Sequence, residues 1–70
     1  MNERIVDLYE KAGEWALESD SAKSYKDRVL AKFAELIVRD CALTAGLMEH
    51  EGRKGIGAQI LDNYGVKYEQ

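Results

Sequence analysis

One uninterrupted helical rhythm, from Ser24 to His50, constrains this chain more than any other feature. Val29, Phe33, Leu36, Asp40, Leu43 and Leu47 follow alternating steps of four and three residues. Leu30, Ala34, Ile37, Cys41, Thr44 and Met48 repeat the same steps one position on. Two adjacent seams make an apolar arc too wide for a helix with one neighbour, so this segment reads as a central helix with contacts on two sides. At a rise of 1.5 Å per residue it is about 40 Å long. The chain has no proline to break it.

The flanking segments are shorter. Ile5, Leu8, Tyr9, Ala12, Trp15 and Ala16 share one helical face, with Asn2 placed to cap the first amides and Glu3 adding favourable charge there. Gly13 lies beside this stripe and reads as a tolerated surface glycine, not as a point of close backbone approach. Ser19, Asp20 and Ser21 stop the pattern. Ser24 followed by Asp27 resembles a capping box, and so short a connection makes the two helices antiparallel neighbours. After Glu51, the glycines Gly52, Gly55 and Gly57 mark a flexible connection. Ile56, Ile60, Leu61 and Tyr64 then form a last apolar face, closed by a glycine and a hydrophobe, Gly65 and Val66. The tail from Lys67 to Gln70 reads as frayed. The expected fold is all-α and a single domain over 1–70, with helices at about 3–18, 24–50 and 56–64. The flanking helices look too short to cover the central one, so the bundle is expected to be completed by oligomerisation.

Size sharpens that expectation. A core built from 70 residues supplies only about 3–5 kcal/mol without a disulfide, a metal or a partner. Cys41 is the only cysteine and His50 the only histidine, which excludes an internal disulfide and leaves no usual metal-ligand spacing. No metal and no cofactor are expected. Both charge signs are interspersed around a net charge of −3, which offers no general attraction to nucleic acid or anionic lipid. No apolar run reaches the roughly 20 residues that cross a membrane, and the opening MNERIVDLYEK carries charge where a leader would be apolar. The expected location is the cytoplasm.

Three constellations bear on function. Asp40 sets a carboxylate in the middle of an apolar seam, where it needs a partner. That partner is a core donor such as the Trp15 indole or a tyrosine hydroxyl, a cation from another chain, or a polar cavity. Its expected role is to fix register and oligomeric state on a seam made of Val29, Phe33, Leu36, Asp40, Leu43 and Leu47. The second constellation is the turn before the last helix. There Arg53, Lys54, Gly55 and Gly57 combine cations, exposed amides and a helix start, as an anion or nucleotide site would, although a plain turn explains them too. Third, Gln59 and Asn63 on the last helix would be the reading side chains of a DNA-binding helix pair, a reading opposed by Asp62 and the acidic balance. Cys41 reads as a small buried hydrophobe, His50 as a helix C-terminal cation, and Tyr9, Trp15, Tyr25, Phe33 and Tyr64 as core or interface.

The stretch Lys32-Phe33-Ala34-Glu35-Leu36-Ile37-Val38-Arg39-Asp40-Cys41 resembles a segment of small proteins from tailed bacteriophages. The opening Asn2-Glu3-Arg4-Ile5 and the ending Asn63-Tyr64-Gly65-Val66 are similar as well, so that the resemblance spans about half of the chain. It implies an accessory protein acting in the cytoplasm of an infected bacterium and transfers no catalytic or binding residue. The expected function is therefore non-enzymatic, the binding of a host or defence-system protein by a homo-oligomer. The alternatives are an oligomer that sequesters nucleotides through Arg53 and Lys54, and a DNA-binding helical protein. An enzyme ranks last for want of a convergent acid–base or nucleophilic set.

Overall fold

The computed structural model describes residues 2–19 and 24–67. Three helices follow one another, α1 (Glu3–Glu18), α2 (Tyr25–His50) and α3 (Ile56–Asn63). Each boundary has a local cause. The Asn2 side chain accepts hydrogen bonds from the Arg4 and Ile5 amides at 2.9 and 3.3 Å, and Ser24 Oγ accepts from the Asp27 amide at 3.2 Å. Ser24 thus caps α2 and stands outside it. At the far end of α2 the Gly52 amide donates to Glu49 and the Arg53 amide to Met48, a paired closure repeated after α3 by Gly65 to Asp62 and Val66 to Leu61. That closure needs a left-handed residue, and Gly52 and Gly65 supply it at φ 70° and 66°. Asp20 and Ser21 of the expected α1–α2 turn, and the end of the expected frayed tail beyond Lys67, lie outside the described residues.

Helix α1 runs antiparallel to α2. Arg28, near the start of α2, donates from its guanidinium to the Ala16 carbonyl at 3.1 and 3.3 Å, giving the last turn of α1 a cation and a donor. Arg4, at the other end of α1, meets Asp40. Between these points Ala12 and Ala16 are fully buried and pack with Val29, flanked by Phe33 and Leu36. Two alanines at the contact let the helices approach closely. Tyr9 meets Phe33 edge to face at 5.6 Å, and Lys32 Nζ lies 5.0 Å above the Trp15 ring while pairing with Glu35 at 3.2 Å. Gly13 is half-buried, and a Cβ there would come within 3.4 Å of the Tyr25 hydroxyl. This corrects the surface reading. The close neighbour is a side chain on α2 and not a second backbone.

Helix α3 folds back on the C-terminal half of α2. Met48 is buried there and Asn63 Nδ2 donates to Thr44 Oγ1 at 3.4 Å. The two short helices therefore cover opposite halves of α2, α1 the first seam and α3 the second. What neither covers stays in water. Leu30 is 67% exposed on the second seam and Leu43 62% exposed on the first. A folded chain of this length has a radius of gyration of about 11 Å, whereas this one measures 14.4 Å. The fold is an elongated two-layer arrangement with a thin core.

A thin core on two alanines is intolerant of added volume. Ala12→Leu should destabilise the protein by about 1–3 kcal/mol in urea unfolding, while Ala31→Leu, on the exposed side of α2, should leave the midpoint within about 0.5 kcal/mol. Equal effects at the two positions would contradict the packing described.

Candidate interaction site

Asp40 joins all three helices. Arg4 Nε donates to Oδ2 at 2.6 Å and Nη2 to Oδ1 at 3.2 Å, a two-pronged contact from α1. The Tyr64 hydroxyl, from the cap of α3, donates to the same Oδ2. Only 17% of the Asp40 side chain remains exposed. The hydrogen bond from Arg4, aided by that from Tyr64, holds the carboxyl below its ordinary range against the opposing effect of burial. The same contact raises the Arg4 guanidinium. Burial, reinforced by Asp40 and then Cys41, pushes the Tyr64 hydroxyl well above its usual value. Of the partners expected for Asp40, the tyrosine hydroxyl is the one found. The cation comes from the chain's own α1, and the Trp15 ring instead carries Lys32.

This changes the picture of the first seam. Val29, Phe33 and Leu36 pack against the alanines of α1, and Asp40 is engaged by α1 and α3, because α1 runs antiparallel over just that stretch. Leu43 and Leu47 lie beyond the reach of α1 and are exposed. The expected interface of six thus divides into four residues used within the chain and two facing water.

In the turn before α3, Gly55 is the N-cap at φ 76° and no side chain caps the helix. Gly57 lies in the first turn of α3 and Lys54 is exposed. Arg53 Nη1 is drawn to Glu51 Oε1 at 3.3 Å, which sets a carboxylate beside the cations. The amides of the last helix are likewise occupied. Gln59 donates to Asn63 at 2.8 Å and Asn63 to Thr44, so the two side chains proposed to read DNA are bound to each other and to α2. Among the described residues no three His, Cys, Asp or Glu side chains gather as a metal site would require, and no helix is long and apolar enough to cross a membrane.

Two depressions are lined mainly by apolar side chains. A depression of about 270 Å³ is lined by Tyr9, Tyr25, Lys26, Val29, Leu30 and Phe33. A second, of about 280 Å³, is lined by Ile5, Ile37, Ile60, Leu61, Tyr64 and Val66. Ile5 and Tyr9 are one turn apart on α1, as Phe33 and Ile37 are on α2. The exposed Tyr25 and Leu30 border the first depression, and Ile60, Leu61 and Tyr64 at the α3 end border the second. Sequence periodicity does not mark these depressions, because the first takes residues of both seams and the second depends on where α3 docks.

No protein-family model, no curated protein and no solved structure matches the chain.

The Asp40 cluster has a definite pH signature. A carboxyl whose folded pKa lies below its unfolded value of about 3.9 contributes stability that is complete at higher pH and is lost as pH falls through the folded value. Tyr64 works in the other direction, since its raised pKa gives stability that is complete below about pH 10 and lost as pH climbs through the folded value. Asp40→Asn should be less stable than the parent at pH 7, with the gap closing as pH falls through the lowered folded value. Tyr64→Phe should flatten the alkaline limb. Parallel stability profiles for Asp40→Asn and parent across that acid range would refute the assignment.

Proposed function

We propose that the protein acts by binding other proteins, with no reaction of its own, and that its working form is a homo-oligomer. One observation carries the oligomer. A compact monomer of 7.9 kDa exposes about 4,400 Å², and this chain exposes 5584 Å². Among the described residues Val6, Tyr9, Trp15, Leu17, Tyr25, Leu30, Val38, Leu43, Leu47 and Val66 are exposed, against a buried hydrophobic core of Ala12, Ala16, Val29, Met48 and Tyr64. Isolated surface hydrophobes are ordinary, but ten large ones outnumbering the core two to one is the pattern of an interface.

The setting of this binding rests on the resemblance of Lys32–Cys41 to small tailed-phage proteins. On that reading the protein is an accessory factor in the host cytoplasm, and its target is a host or defence-system protein. The nucleotide-sequestering alternative draws less support, because Glu51 already faces Arg53 in the turn that was to hold the phosphate. DNA binding draws still less, since Gln59 and Asn63 are committed to each other and to Thr44.

Light scattering during size exclusion checks the oligomer. The expected mass is a multiple of 7.9 kDa that falls toward one chain on dilution, and a mass of one chain at every concentration up to the millimolar range would refute it. For the alternative, adding nucleoside triphosphate should leave the melting temperature unchanged.

A further inference from the structure

We propose that α3 is a hinged latch, which swings off α2 as a unit while α1 and α2 stay folded, and so hides or presents the part of the second seam that lies beneath it.

Helix α3 has a hinge at one end and a clasp at the other. At the hinge, Gly52 and Gly55 both sit in the left-handed region, at φ 70° and 76°, and a Cβ on either would meet nothing within 4 Å. The ion pair of Arg53 with Glu51 runs back to the end of α2 and holds nothing of α3. No side chain caps the start of the helix. At the clasp, the Tyr64 hydroxyl donates to Asp40 Oδ2 and Asn63 Nδ2 donates to Thr44 Oγ1 at 3.4 Å. Gly65 lies against the cap of α1, where a Cβ would meet the Asn2 side chain at 3.5 Å.

Between these two ends little holds the helix. Helix α3 has 8 residues and buries none of them, whereas α1 buries Ala12 and Ala16 and is tied to α2 near both ends by Arg4 and Arg28. A helix so short has no stability of its own in water, so the segment unwinds once Tyr64 leaves Asp40. The rest of the fold does not need it, since Ala12, Ala16 and Val29 pack with Phe33 and Leu36 from α1 and α2 alone. Opening therefore costs only the contacts of α3, less than unfolding the whole chain. It uncovers Ile37, which shares a depression with Ile60, Leu61 and Tyr64, and Met48, which is 3% exposed beside Gln59 and Asn63. Leu43 and Leu47, on the neighbouring seam, are exposed already. In the closed state the occupant of that face is α3 itself. Hinge, clasp and face all belong to one chain, so the latch does not rest on association.

Native-state hydrogen exchange on the whole chain tests the latch. Amides from Gln59 to Val66 should exchange at least about tenfold faster than those of α2 around Val29, with a shallower dependence on urea below the unfolding transition, because little surface opens with α3. Val29→Ala, at the α1–α2 contact, should lower protection in α1 and α2 by roughly tenfold. It should leave α3 within about twofold, since it weakens the open and closed states alike. Tyr64→Phe should lower α3 protection by roughly tenfold, the loss of a hydrogen bond to a charged group. Protection of α3 that falls in step with α1 and α2 in Val29→Ala, or that Tyr64→Phe leaves unchanged, overturns the latch. Amides of α3 that exchange as fast as a free peptide overturn it too, because a helix that never closes gates nothing. Where Val29→Ala does not fold, the urea slopes of the parent decide, and equal slopes for α3 and α2 count against the latch.

Discussion

The arrangement of the whole chain depends on one carboxylate. Asp40 sits just past the middle of α2, receives Arg4 from the first turn of α1 and Tyr64 from the end of α3, and is the point where the three helices meet. Apolar packing alone gives this register little direction, since the buried contact of α1 with α2 rests on Ala12, Ala16 and Val29. A charged hydrogen-bonding group has a directional requirement that alanine and valine lack. Its partner is only partly buried, with 44% of the Arg4 side chain in water. The cluster should accordingly be valued for specifying the fold more than for adding stability, because solvent screens such a pair.

From that fixed point the exposed surface follows. With α1 tied at Asp40 and its other end tied by Arg28 to Ala16, α1 can shield only the N-terminal portion of the first seam. With Tyr64 tied to the same carboxylate, α3 can shield only the C-terminal portion of the second. The remaining quarters of the two seams are apolar and uncovered. One of them borders the depression lined by Tyr9, Tyr25 and Leu30, and the other leaves Leu43 and Leu47 in water. The same geometry that gives the single chain a definite fold thus leaves it short of a core and supplied with a surface.

Much of the fold was legible in the residue order. The two seams named a central helix with neighbours on two sides, and the caps at Asn2 and Ser24 and the ending at Gly65 and Val66 stand where their side chains and φ angles require. Asp40 announced that it needed a partner. Which partner was not legible from periodicity, because Arg4 and Tyr64 become neighbours only once the helices are docked. One signal does point to Arg4. Arg4 and Asp40 lie equally far from position 22, in the connection between α1 and α2, as do Ala16 and Arg28, so reflecting the chain about its turn pairs them. Tyr64 carries no such mark, since the glycine-rich connection from Gly52 to Gly55 does not dictate the direction of α3. The depression lined by Ile5, Ile37 and Ile60 was hidden for the same reason. Gly13 was misplaced because a wheel of α1 alone does not show Tyr25 approaching from α2.

The central claim is that the folded state of this protein contains more than one chain, held by the apolar surface that α1 and α3 leave uncovered. If folding is coupled to association, mass action makes the melting temperature depend on protein concentration. Thermal unfolding followed by far-ultraviolet circular dichroism over a hundredfold range of concentration measures this directly. The account predicts a midpoint that rises steadily with concentration. A midpoint that does not move would contradict it.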